Sequence, residues 1–499
     1  MNMIPALVLT DFYKTDHRRQ FPDGTTLVYS NFTPRGSRIE NVEHVVFFGL
    51  QYFVAEYLQR RFQDTFFALP KAVAIGAYQR RLDNSLGKGA VPVDHVEALH
   101  DLGHLPLRIK ALPEGTRVPM QVPTHTIENT DPRFAWLTNF IETMMSAVVW
   151  GPCTSATIAN QYRRVFEQWA AKTGAPREFV PWQGHDFSFR GMFGIEAACL
   201  SGAGHLLSFT GTDTIPAIDF LEQYYGADCT RELIGGSVPA TEHAVMCAGG
   251  KETELETYRR LLTKVYPQGI VSVVSDTWDF FRVITDLLPQ LKNEILGRNG
   301  KLVIRPDSGD PVLILVGDPS AESGSPEQRG LIELLWQIFG GSTTSTGHKV
   351  LDSHIGAIYG DSITLERQAA ILAGLANKGF ASSNVVLGIG SYTYQHVTRD
   401  TFGFAMKATF CHVNGEDREI FKQPRTDSKK NSHRGLIAVR RDAEGELRAH
   451  FPVSRAEEQS EQNLLRTVFE NGRLVHRQTL GEIRATVERE LAVGTARAR

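Results

Sequence analysis

The chain has 499 residues, of which 42% are hydrophobic and 22% are charged, and its formal net charge is -3 at pH 7. This is the composition of a soluble globular protein with room for two or three domains. The absence of a basic surplus argues against nucleic acid or an anionic membrane as the main partner. No run approaches the ~20 apolar residues that span a bilayer.

The first third of the chain has a mixed, partly β pattern. Strands are predicted at residues 26–32, 107–112 and 118–122. Apolar residues at helical spacing predict a helix over 47–62. Two further helices are predicted at 134–149 and 155–172, separated by a break at Gly151-Pro152. No chemistry can be named from residue types in this part of the chain.

Between about residues 180 and 392 one theme recurs: a short apolar strand, a loop that contains Gly or Asp, and often a helix. Strands are predicted at 205–209, 270–274, 302–304, 355–359 and 384–387, and helices at 216–225 and 365–377. Alternating strands and helices predict parallel βα units. Further strands follow at 402–410 and 436–440.

The predicted fold class is therefore α/β. We expect an irregular, incomplete βα-barrel domain over residues 151–392, which is the catalytic domain. A mixed, β-rich domain is predicted from the discontinuous segments 1–150 and 393–499. The helical patterns are too few to predict a regular eightfold barrel.

The stretch GGSVPATEH at residues 235–243 lies near the middle of the chain. Glycines let backbone N–H groups approach an anion, and the proline fixes a turn. His243 at its end could be a general base, a metal ligand or a nucleophile. A buried histidine with a structural role is the alternative that these residues alone leave open.

Polar and aromatic side chains collect where the predicted strands end. The candidate set is His185, Asp186, Phe187, Arg190, Asp213, His243, Ser272, Asp276, Arg305, Asp307, Gly360, Asp361, Gly390 and Arg399. Any one aspartate could be a helix cap or a turn residue. Several at strand ends favour a polyhydroxylated ligand, or Mg²⁺ near phosphates. With arginines for phosphate and an aromatic face for stacking, the residues predict a sugar-phosphate enzyme with an aromatic substrate.

Ten short motifs run along the chain. Seven of them are HDFSFRG (185–191), FTGTDT (209–214), SVPATEH (237–243), VSVVSD (271–276), IRPDSG (304–309), GDS (360–362) and TRD (398–400). The other three, nearer the two ends, are DFYKTDH (11–17), FFGLQY (47–52) and TVFENG (467–472). Taken together and in this order, the motifs resemble those of the nicotinamide phosphoribosyltransferase family, which belongs to the type II phosphoribosyltransferases, nearly from end to end.

The resemblance implies a reaction that makes nicotinamide mononucleotide and pyrophosphate from nicotinamide and phosphoribosyl pyrophosphate (PRPP) in NAD salvage. It also implies ATP hydrolysis through a phosphorylated histidine, which is His243. Asp276 and Asp307 would lie beside this histidine, near the ribose hydroxyls. Mg²⁺ would be bound there with pyrophosphate or ATP, without a fixed metal site made by the protein alone.

The same resemblance implies how the nicotinamide ring is held. The ring would stack between Phe187 and Tyr13 of the partner subunit, so that a homodimer shares its active sites. Asp213 would accept a hydrogen bond from the carboxamide, and its charge would disfavour nicotinate. Arg190 and Arg305 would face the ring and the phosphates.

Contacts to ribose, phosphates and ATP are implied for Arg35, Ser237, Ser272, Arg305, Gly360, Asp361, Gly390, Ser391, Arg399, Lys407, Lys422 and Lys430. One departure from the family pattern lies in GIGSYTY (388–394), where Ser391 and Tyr392 stand at positions for which small residues are expected. The Tyr392 side chain could narrow the phosphate pocket or a tunnel that leads to the ring.

Three other functions remain open at this point. A nicotinate phosphoribosyltransferase would share the architecture, but Asp213 argues against it. A non-catalytic, ligand-binding relative would be expected to lack the histidine or the aspartates. A sugar-phosphate aldolase or isomerase would need a Schiff-base lysine or a strand-end glutamate base, and neither stands out.

The cellular location is predicted from the cysteines and the N-terminus. The chain has five cysteines, an odd number, and no C-x-x-C pair. This favours a reducing cytoplasm over a disulfide framework or a structural zinc site. The first residues lack the basic stretch of a signal peptide, and we expect no membrane partner.

Overall fold

The structure is a computed structural model that describes residues 3–421 and 433–497. It divides into two compact units. The first comprises Met1–Thr157, Leu221–Ala227 and Val397–Glu490. The second comprises Ile158–Phe220, Asp228–His396 and Leu491–Arg499. Lys422 and Lys430, for which phosphate contacts are predicted, lie outside the described residues.

The strands of the described residues are numbered here in chain order. They are β1 (Thr25–Thr33), β2 (His44–Val46), β3 (Leu107–Ala111), β4 (Arg117–Pro119), β5 (His125–Asn129), β6 (Gly184–Asp186), β7 (Gly211–Thr212), β8 (Gln268–Val274), β9 (Asn299–Arg305), β10 (Gly341–Thr343), β11 (Lys349–Leu351), β12 (Ile355–Tyr359), β13 (Val385–Ile389), β14 (Ala405–Val413), β15 (Glu416–Glu419), β16 (Leu436–Arg441), β17 (Leu447–Val453), β18 (Arg466–Glu470) and β19 (Arg473–Leu474).

The first unit is built around a seven-stranded sheet with the order β15-β14-β1-β5-β3-β18-β19. Its strands pair antiparallel, and early strands pair with late ones: β1 with β14, and β3 with β18. The two-stranded sheets β2-β4 and β16-β17 accompany it. The N- and C-terminal parts of the chain therefore form one β-rich unit, as predicted.

Helices of the first unit are mostly short. The α-helices are His17–Gln20, Leu50–Phe53, Lys71–Leu86, Asp94–Leu102, Leu137–Phe140, Arg455–Gln459 and Leu480–Arg497, the last of which extends to residues of the second unit. The π-helical segments Val54–Arg61 and Gln63–Phe67 continue the second of these, and 3₁₀ turns occur at Ala6–Val8, Phe12–Asp16, Pro132–Phe134 and Arg399–Thr401. The helix predicted over 47–62 thus exists, largely in π form.

The second unit contains a six-stranded sheet in which every pairing is parallel, with the order β7-β6-β13-β12-β9-β8. Its strands are mainly apolar and largely buried, which is typical of a parallel sheet with both faces covered. All their C-terminal ends lie at one edge, so the polar residues that follow them gather there.

The GGSVPATEH stretch, residues 235–243, joins the two edges of this sheet, and we call it the closing segment. At the β7 edge, the Gly236 N–H donates to Thr210 O (2.8 Å), and the Thr212 N–H donates to Gly236 O (2.9 Å). At the β8 edge, the Ser272 N–H donates to Pro239 O (2.9 Å), and the Thr241 N–H donates to Ser272 O (3.0 Å). The sheet and this segment together make an irregular βα-barrel.

Helices follow or connect most strands of the second unit. The α-helices are Ile195–His205, Ile215–Tyr225, His243–Gly249, Glu254–Arg260, Phe280–Arg282, Leu288–Gln290, Lys292–Leu296, Pro311–Val316, Pro326–Arg329, Leu331–Phe339, Leu365–Asn377 and Ser391–Tyr394. The remaining helical segments are Arg177–Trp182, Phe189–Gly191, Leu261–Val265, Val283–Leu287 and Ser382–Asn384.

Two predicted elements are wrong. Residues 205–209 are the end of the helix Ile195–His205 and the turn after it, and the strand there is only β7. The expected break at Gly151-Pro152 is absent, because one helix runs over Glu142–Thr173 with Pro152 inside it. In the helical turn after Pro152, Cys153 and Ala156 are fully buried. The packing of this helix therefore outweighs the free-energy cost of a proline inside it.

Candidate active site

The closing segment places His243 at the C-terminal end of β8. The Val274 N–H donates to Thr241 Oγ1 (3.0 Å), and Arg305 Nη2 donates to Thr241 O (2.9 Å). His243 then begins a short helix, and its Nε2 lies 3.2 Å from Asp276 Oδ1. The His243 side chain is 47% exposed and that of Asp276 is 5% exposed. A histidine open to solvent is thus held by a nearly buried carboxylate.

The loop after β9 fixes the orientation of Asp276. Ser308 Oγ donates to Asp276 Oδ2 (2.5 Å), and the Asp307 N–H donates to the same oxygen (3.1 Å). Since a carboxylate only accepts hydrogen bonds, His243 Nε2 must be protonated to donate to Oδ1. In the neutral ring the lone pair is then on Nδ1, which makes that nitrogen available as a nucleophile or base.

Several carboxylates collect around Tyr359, at the end of β12. Burial raises the pKa of the Tyr359 hydroxyl, and the negative charges of Asp361, Asp276, Asp307 and Asp310 raise it further. This hydroxyl donates to Gly309 O (2.8 Å). The strand-end aspartates predicted from sequence are therefore close enough to one another to act on the same side chain.

The carboxylates do not make a metal site by themselves. Within residues 3–421 and 433–497, no group of three or more His, Cys, Asp and Glu side chains could hold a metal ion. The Asp276 oxygens already accept hydrogen bonds, whereas the described residues provide none to the Asp307 carboxylate. This donor set fits Mg²⁺ that takes most of its ligands from phosphate oxygens and water.

Phe187, after β6, rests directly on the backbone of two glycines. A Cβ at Gly388 would lie 2.6 Å from Phe187 Cε2, and a Cβ at Gly360 would lie 3.2 Å from the same atom. Gly360 therefore makes room for the ring, whatever it also does for a phosphate. The His185 ring lies beside Phe187, with 4.7 Å between the ring centroids.

Asp213, after β7, presents a charged carboxylate next to this aromatic pair. Its Oδ1 accepts from His185 Nε2 (2.9 Å) and from Ser237 Oγ (2.6 Å), and its side chain is 46% exposed. Partial burial works to raise the pKa of Asp213. The bonds from His185 and Ser237, together with the charges of His185 and Arg305, outweigh burial and lower the pKa.

Asp186 and Ser272 are both buried inside the protein. Asp186 is buried and accepts from the Thr214 and Thr212 hydroxyls and from the Ser188 N–H. Ser272 is buried on β8 beside the closing segment, and its hydroxyl has no hydrogen-bond partner among the described residues. Neither is open to a ligand from solvent in this structure.

The loop after β13 contains the remaining residues predicted for the phosphate end. The Ser391 side chain lies against the backbone of Gly191, next to the exposed Arg190. No atom lies within 4 Å of where a Cβ of Gly390 would stand. Tyr392 is 58% exposed and stacks on His396, with 5.5 Å between the ring centroids. Its ring is thus held by His396 on a side open to solvent.

The two glycines of the closing segment pack against neighbouring side chains, and the N–H of one of them is already used in the sheet. The Gly236 N–H is used in the bond to Thr210, so it cannot also receive an anion. A Cβ at Gly235 would lie 2.8 Å from Thr212 Cγ2, and one at Gly236 would lie 3.0 Å from a Trp182 ring carbon. These glycines permit close packing at the joined edge of the sheet.

Four predicted residues lie in the first unit. Tyr13 is 62% exposed on a 3₁₀ turn, with its ring edge to face against His17. Arg35 Nε donates to Gly403 O (2.9 Å). Arg399 is paired with the neighbouring Asp400 at 3.7 Å, and Lys407 is exposed on β14.

Some residues without a predicted role contact and orient the residues that were predicted for the site. Ser308 and Thr241 have no predicted role, yet they orient Asp276 and the closing segment. His185 stands in the candidate set without a role and contacts both Asp213 and Phe187. Motif membership was their only signal, because the sequence does not show which donor meets which acceptor.

Comparison with known proteins identifies the family. The model of the nicotinate phosphoribosyltransferase (NAPRTase) family matches residues 182–473, and that of the nicotinamide phosphoribosyltransferase N-terminal domain matches residues 5–65. The nicotinamide phosphoribosyltransferase of Acinetobacter baylyi is 55% identical, over 98% of this chain and 98% of that protein. The protein of the same name from Xanthomonas campestris is 35% identical, over 97% of this chain and 98% of that protein.

Solved structures show the same fold. A nicotinate-nucleotide pyrophosphorylase from Pyrococcus furiosus has a TM-score of 0.61 at 15% identity, covering 99% of this chain and 98% of that one. Human nicotinic acid phosphoribosyltransferase has a TM-score of 0.51 at 16% identity, covering 97% of this chain and 94% of that one. No helix among the described residues is long and apolar enough to cross a membrane. The full-length identity to curated relatives and the two family models show that this chain belongs to the nicotinamide phosphoribosyltransferase family of phosphoribosyltransferase enzymes.

Proposed function

We propose that this protein transfers the phosphoribosyl group of PRPP to nicotinamide, releasing nicotinamide mononucleotide and pyrophosphate in NAD salvage. The observation that supports nicotinamide most directly is the Asp213 carboxylate beside Phe187. Two donors bind its Oδ1, and the described residues make no hydrogen bond to Oδ2. Oδ2 can then accept from the carboxamide NH₂ of nicotinamide, whereas the carboxylate of nicotinate would be repelled.

Phe187 supplies a flat apolar face for the pyridine ring. The glycines behind it fix the depth of that face, and Arg190 lies exposed in the following turn. We propose that Tyr13 of the partner subunit covers the opposite face of the ring in a homodimer. The exposure of Tyr13 and its neighbour Phe12 supports this, because large exposed aromatic residues mark interaction surfaces.

The strand-end carboxylates are proposed to bind the ribose hydroxyls and Mg²⁺. Asp307 and Asp361 would hold the ion together with phosphate oxygens of PRPP or ATP, and Asp276 would lie behind them. When bound, Mg²⁺ neutralises part of the phosphate charge. Arg305, and on the first unit Arg35, Arg399 and Lys407, are the proposed cationic contacts to phosphate.

His243 is proposed to couple ATP hydrolysis to this reaction as a phosphohistidine. The Nδ1 lone pair forms a bond to the γ-phosphorus of ATP, the bond from that phosphorus to the bridging oxygen breaks, and ADP leaves. Water later cleaves the N–P bond, which releases phosphate and restores the imidazole. Asp276, bound to Nε2, stabilises the positive charge that develops on the ring.

We also propose that the protein acts in the cytoplasm. None of the five cysteines, all of which lie in the described part of the chain, is in a disulfide bond, which suits a reducing compartment. Mg²⁺ and ATP would both be available there as cofactor and co-substrate.

The test of the pyridine assignment is the variant Asp213→Asn. Loss of the negative charge should lower kcat/KM for nicotinamide, raise it for nicotinate, and so reduce the ratio of the two by about tenfold or more. Asp219→Asn, on the exposed face of the following helix, is the matched control and should keep the ratio of the wild type. A D213N enzyme with an unchanged ratio would show that Asp213 does not select the pyridine.

The phosphohistidine is tested separately with γ-labelled ATP. The wild-type protein should take up acid-labile label, and His243→Ala should take up none and lose all stimulation of turnover by ATP. Stimulation that persists in H243A would remove His243 from this role.

A further inference from the structure

His185 is nearly buried at the C-terminal end of β6, between two neighbouring strands. Its backbone pairs with Gly388 on β13 and with Gly211 on β7. Its Nε2 is 2.9 Å from Asp213 Oδ1, and its ring lies against Phe187. One side chain thus contacts both the proposed stacking residue and the proposed carboxamide acceptor.

The His185 ring has little freedom to turn. On its far side, a Cβ at Gly211 would lie 2.6 Å from His185 Nδ1, so the imidazole packs directly on the backbone of β7. Because the Asp213 carboxylate can only accept, Nε2 bears the proton and donates it. The strand geometry therefore aims one N–H at one carboxylate oxygen.

A second donor reaches the same oxygen from the closing segment. Ser237 Oγ donates to Asp213 Oδ1 at 2.6 Å. With both donors on Oδ1, the carboxylate is held from two directions, and Oδ2 has no hydrogen bond from the described residues. Fixing one oxygen of a carboxylate determines where the other one points.

We propose that His185 is a positioning residue that sets the preference for a neutral carboxamide over a carboxylate, by holding Asp213 with Oδ2 open to the substrate. This inference rests on the proposed function, because it concerns how nicotinamide is told apart from nicotinate. His185 acts through Asp213 and need not touch the substrate.

The charges around the pair give the role a pH signature. Arg305 faces Asp213, while Asp186 lies next to His185 in β6, and the buried His205 interacts with both Asp186 and His185. The bond from His185 is one of the causes that lower the pKa of Asp213. Its removal should raise that pKa, so that the preference for nicotinamide is lost at a higher pH than in the wild type.

The test compares three variants in competition between nicotinamide and nicotinate over about pH 3.5 to 8, a range that reaches below the ordinary Asp213 pKa of 3.8. His185→Leu and His185→Asn both lack a donor at the Nε2 position, since the asparagine amide is too short to reach it. Each should reduce the ratio of kcat/KM for nicotinamide to kcat/KM for nicotinate by about tenfold. Each should also move the low-pH fall of this ratio to a higher pH. His185→Gln places an amide N–H near the Nε2 position and should restore most of the ratio and the pH profile.

Two outcomes overturn the inference. A merely structural histidine would, when replaced, lower kcat/KM for both pyridines alike, and the ratio and pH profile of H185L and H185N would match those of the wild type. An H185Q enzyme as unselective as H185L would also contradict it. A wild-type enzyme that prefers nicotinate would instead overturn the proposed function, so the two failures are distinguishable.

Discussion

Phe187 shows how a single methyl group could disturb the site. A Cβ at Gly388 would overlap ring atom Cδ2 and lie 2.6 Å from Cε2, so Gly388→Ala must displace the ring or shift β13. We expect KM for nicotinamide to rise about tenfold, with a much smaller change in KM for PRPP. Steady-state kinetics with each substrate varied in turn measures both constants.

Gly76→Ala is the control for this substitution. Gly76 lies within the helix Lys71–Leu86, and no atom stands within 4 Å of where its Cβ would be. It should leave both constants unchanged and stabilise the helix slightly. If G388A and G76A had the same KM for nicotinamide, the position of the Phe187 ring would not depend on Gly388.

The candidate residues were predictable from the sequence, whereas their pairings were not. Aspartates after apolar strands predicted a cluster, and the structure brings Asp276, Asp307 and Asp361 to one tyrosine. Ser237 was assigned to ribose and phosphates by resemblance, and its hydroxyl lies on Asp213. Such a bond joins residues 24 positions apart, and no local pattern specifies it.

The closing segment is the element on which the site depends. Thr241 is buried within it, and its hydroxyl accepts from the Val274 N–H at 3.0 Å. Thr241→Val keeps the shape but leaves that buried N–H without a partner, which costs about 1–3 kcal/mol of stability. Because His243 follows two residues later, we also expect T241V to weaken the stimulation of turnover by ATP.

Thr241→Ser is the matched control, since it keeps the hydroxyl. Urea unfolding should rank wild type and T241S close together and T241V below them. Equal stability of all three proteins would show that this bond does not hold the segment in place.

Elements were predicted well where periodicity and flanking residues agreed. β1, β8 and β12 and the helix Leu365–Asn377 lie where the sequence places them, within two residues. Residues 205–209 are buried at the end of a helix and in the turn after it, and a short, mainly apolar run does not distinguish a strand from a buried helix end. The joining of the sheet edges by residues 236–241 is a long-range event without a local signal.

At the scale of the whole molecule, Glu114 ties distant parts of the first unit together. Its carboxylate accepts from the N–H groups of Gly49 (3.1 Å) and Gln51 (2.6 Å), and its own N–H donates to Gln478 Oε1 (2.7 Å). Burial raises the pKa of Glu114 from 4.5 to about 7, although the bonds from Gln51, Gly49 and Tyr225 work to lower it.

This raised pKa makes folding stability depend on pH. A raised carboxyl pKa means that the folded state binds the proton more tightly than the unfolded state. The stabilising contribution of Glu114 to folding is therefore fully present below the unfolded pKa of 4.5, and it is lost as the pH rises through about 7. We expect the wild type to lose about 3 kcal/mol of stability over this range relative to Glu114→Gln. The free energies of unfolding of the two proteins are measured by urea unfolding at a series of pH values. The same pH dependence for both proteins would contradict this prediction.

The proposed homodimer is tested by mixing two variants that each lack ATP-stimulated activity. Tyr13→Ala and His243→Ala would each damage every site of their own dimers. After unfolding and refolding together at equal amounts, half of the dimers would be mixed, each with one intact site, so about a quarter of the wild-type, ATP-stimulated activity should return. Sites contained within one subunit would recover none.

The sequence predicted that the N- and C-terminal parts of the chain form one domain, but not which early strand pairs with which late strand. The register of β1 on β14, for example Tyr29 opposite Phe410, depends on packing between residues almost 400 positions apart. Composition and periodicity identify such strands but not their partners. The resemblance to a family supplied the prediction of function, and the structure supplies the contacts on which the proposed residue roles rest.

The central claim is most directly tested by the products that the purified wild-type protein forms from PRPP with equal amounts of nicotinamide and nicotinate, with and without ATP. We predict nicotinamide mononucleotide as the dominant product, formed faster when ATP is present and accompanied by ADP. Nicotinate mononucleotide as the dominant product, or no mononucleotide at all, would contradict the account.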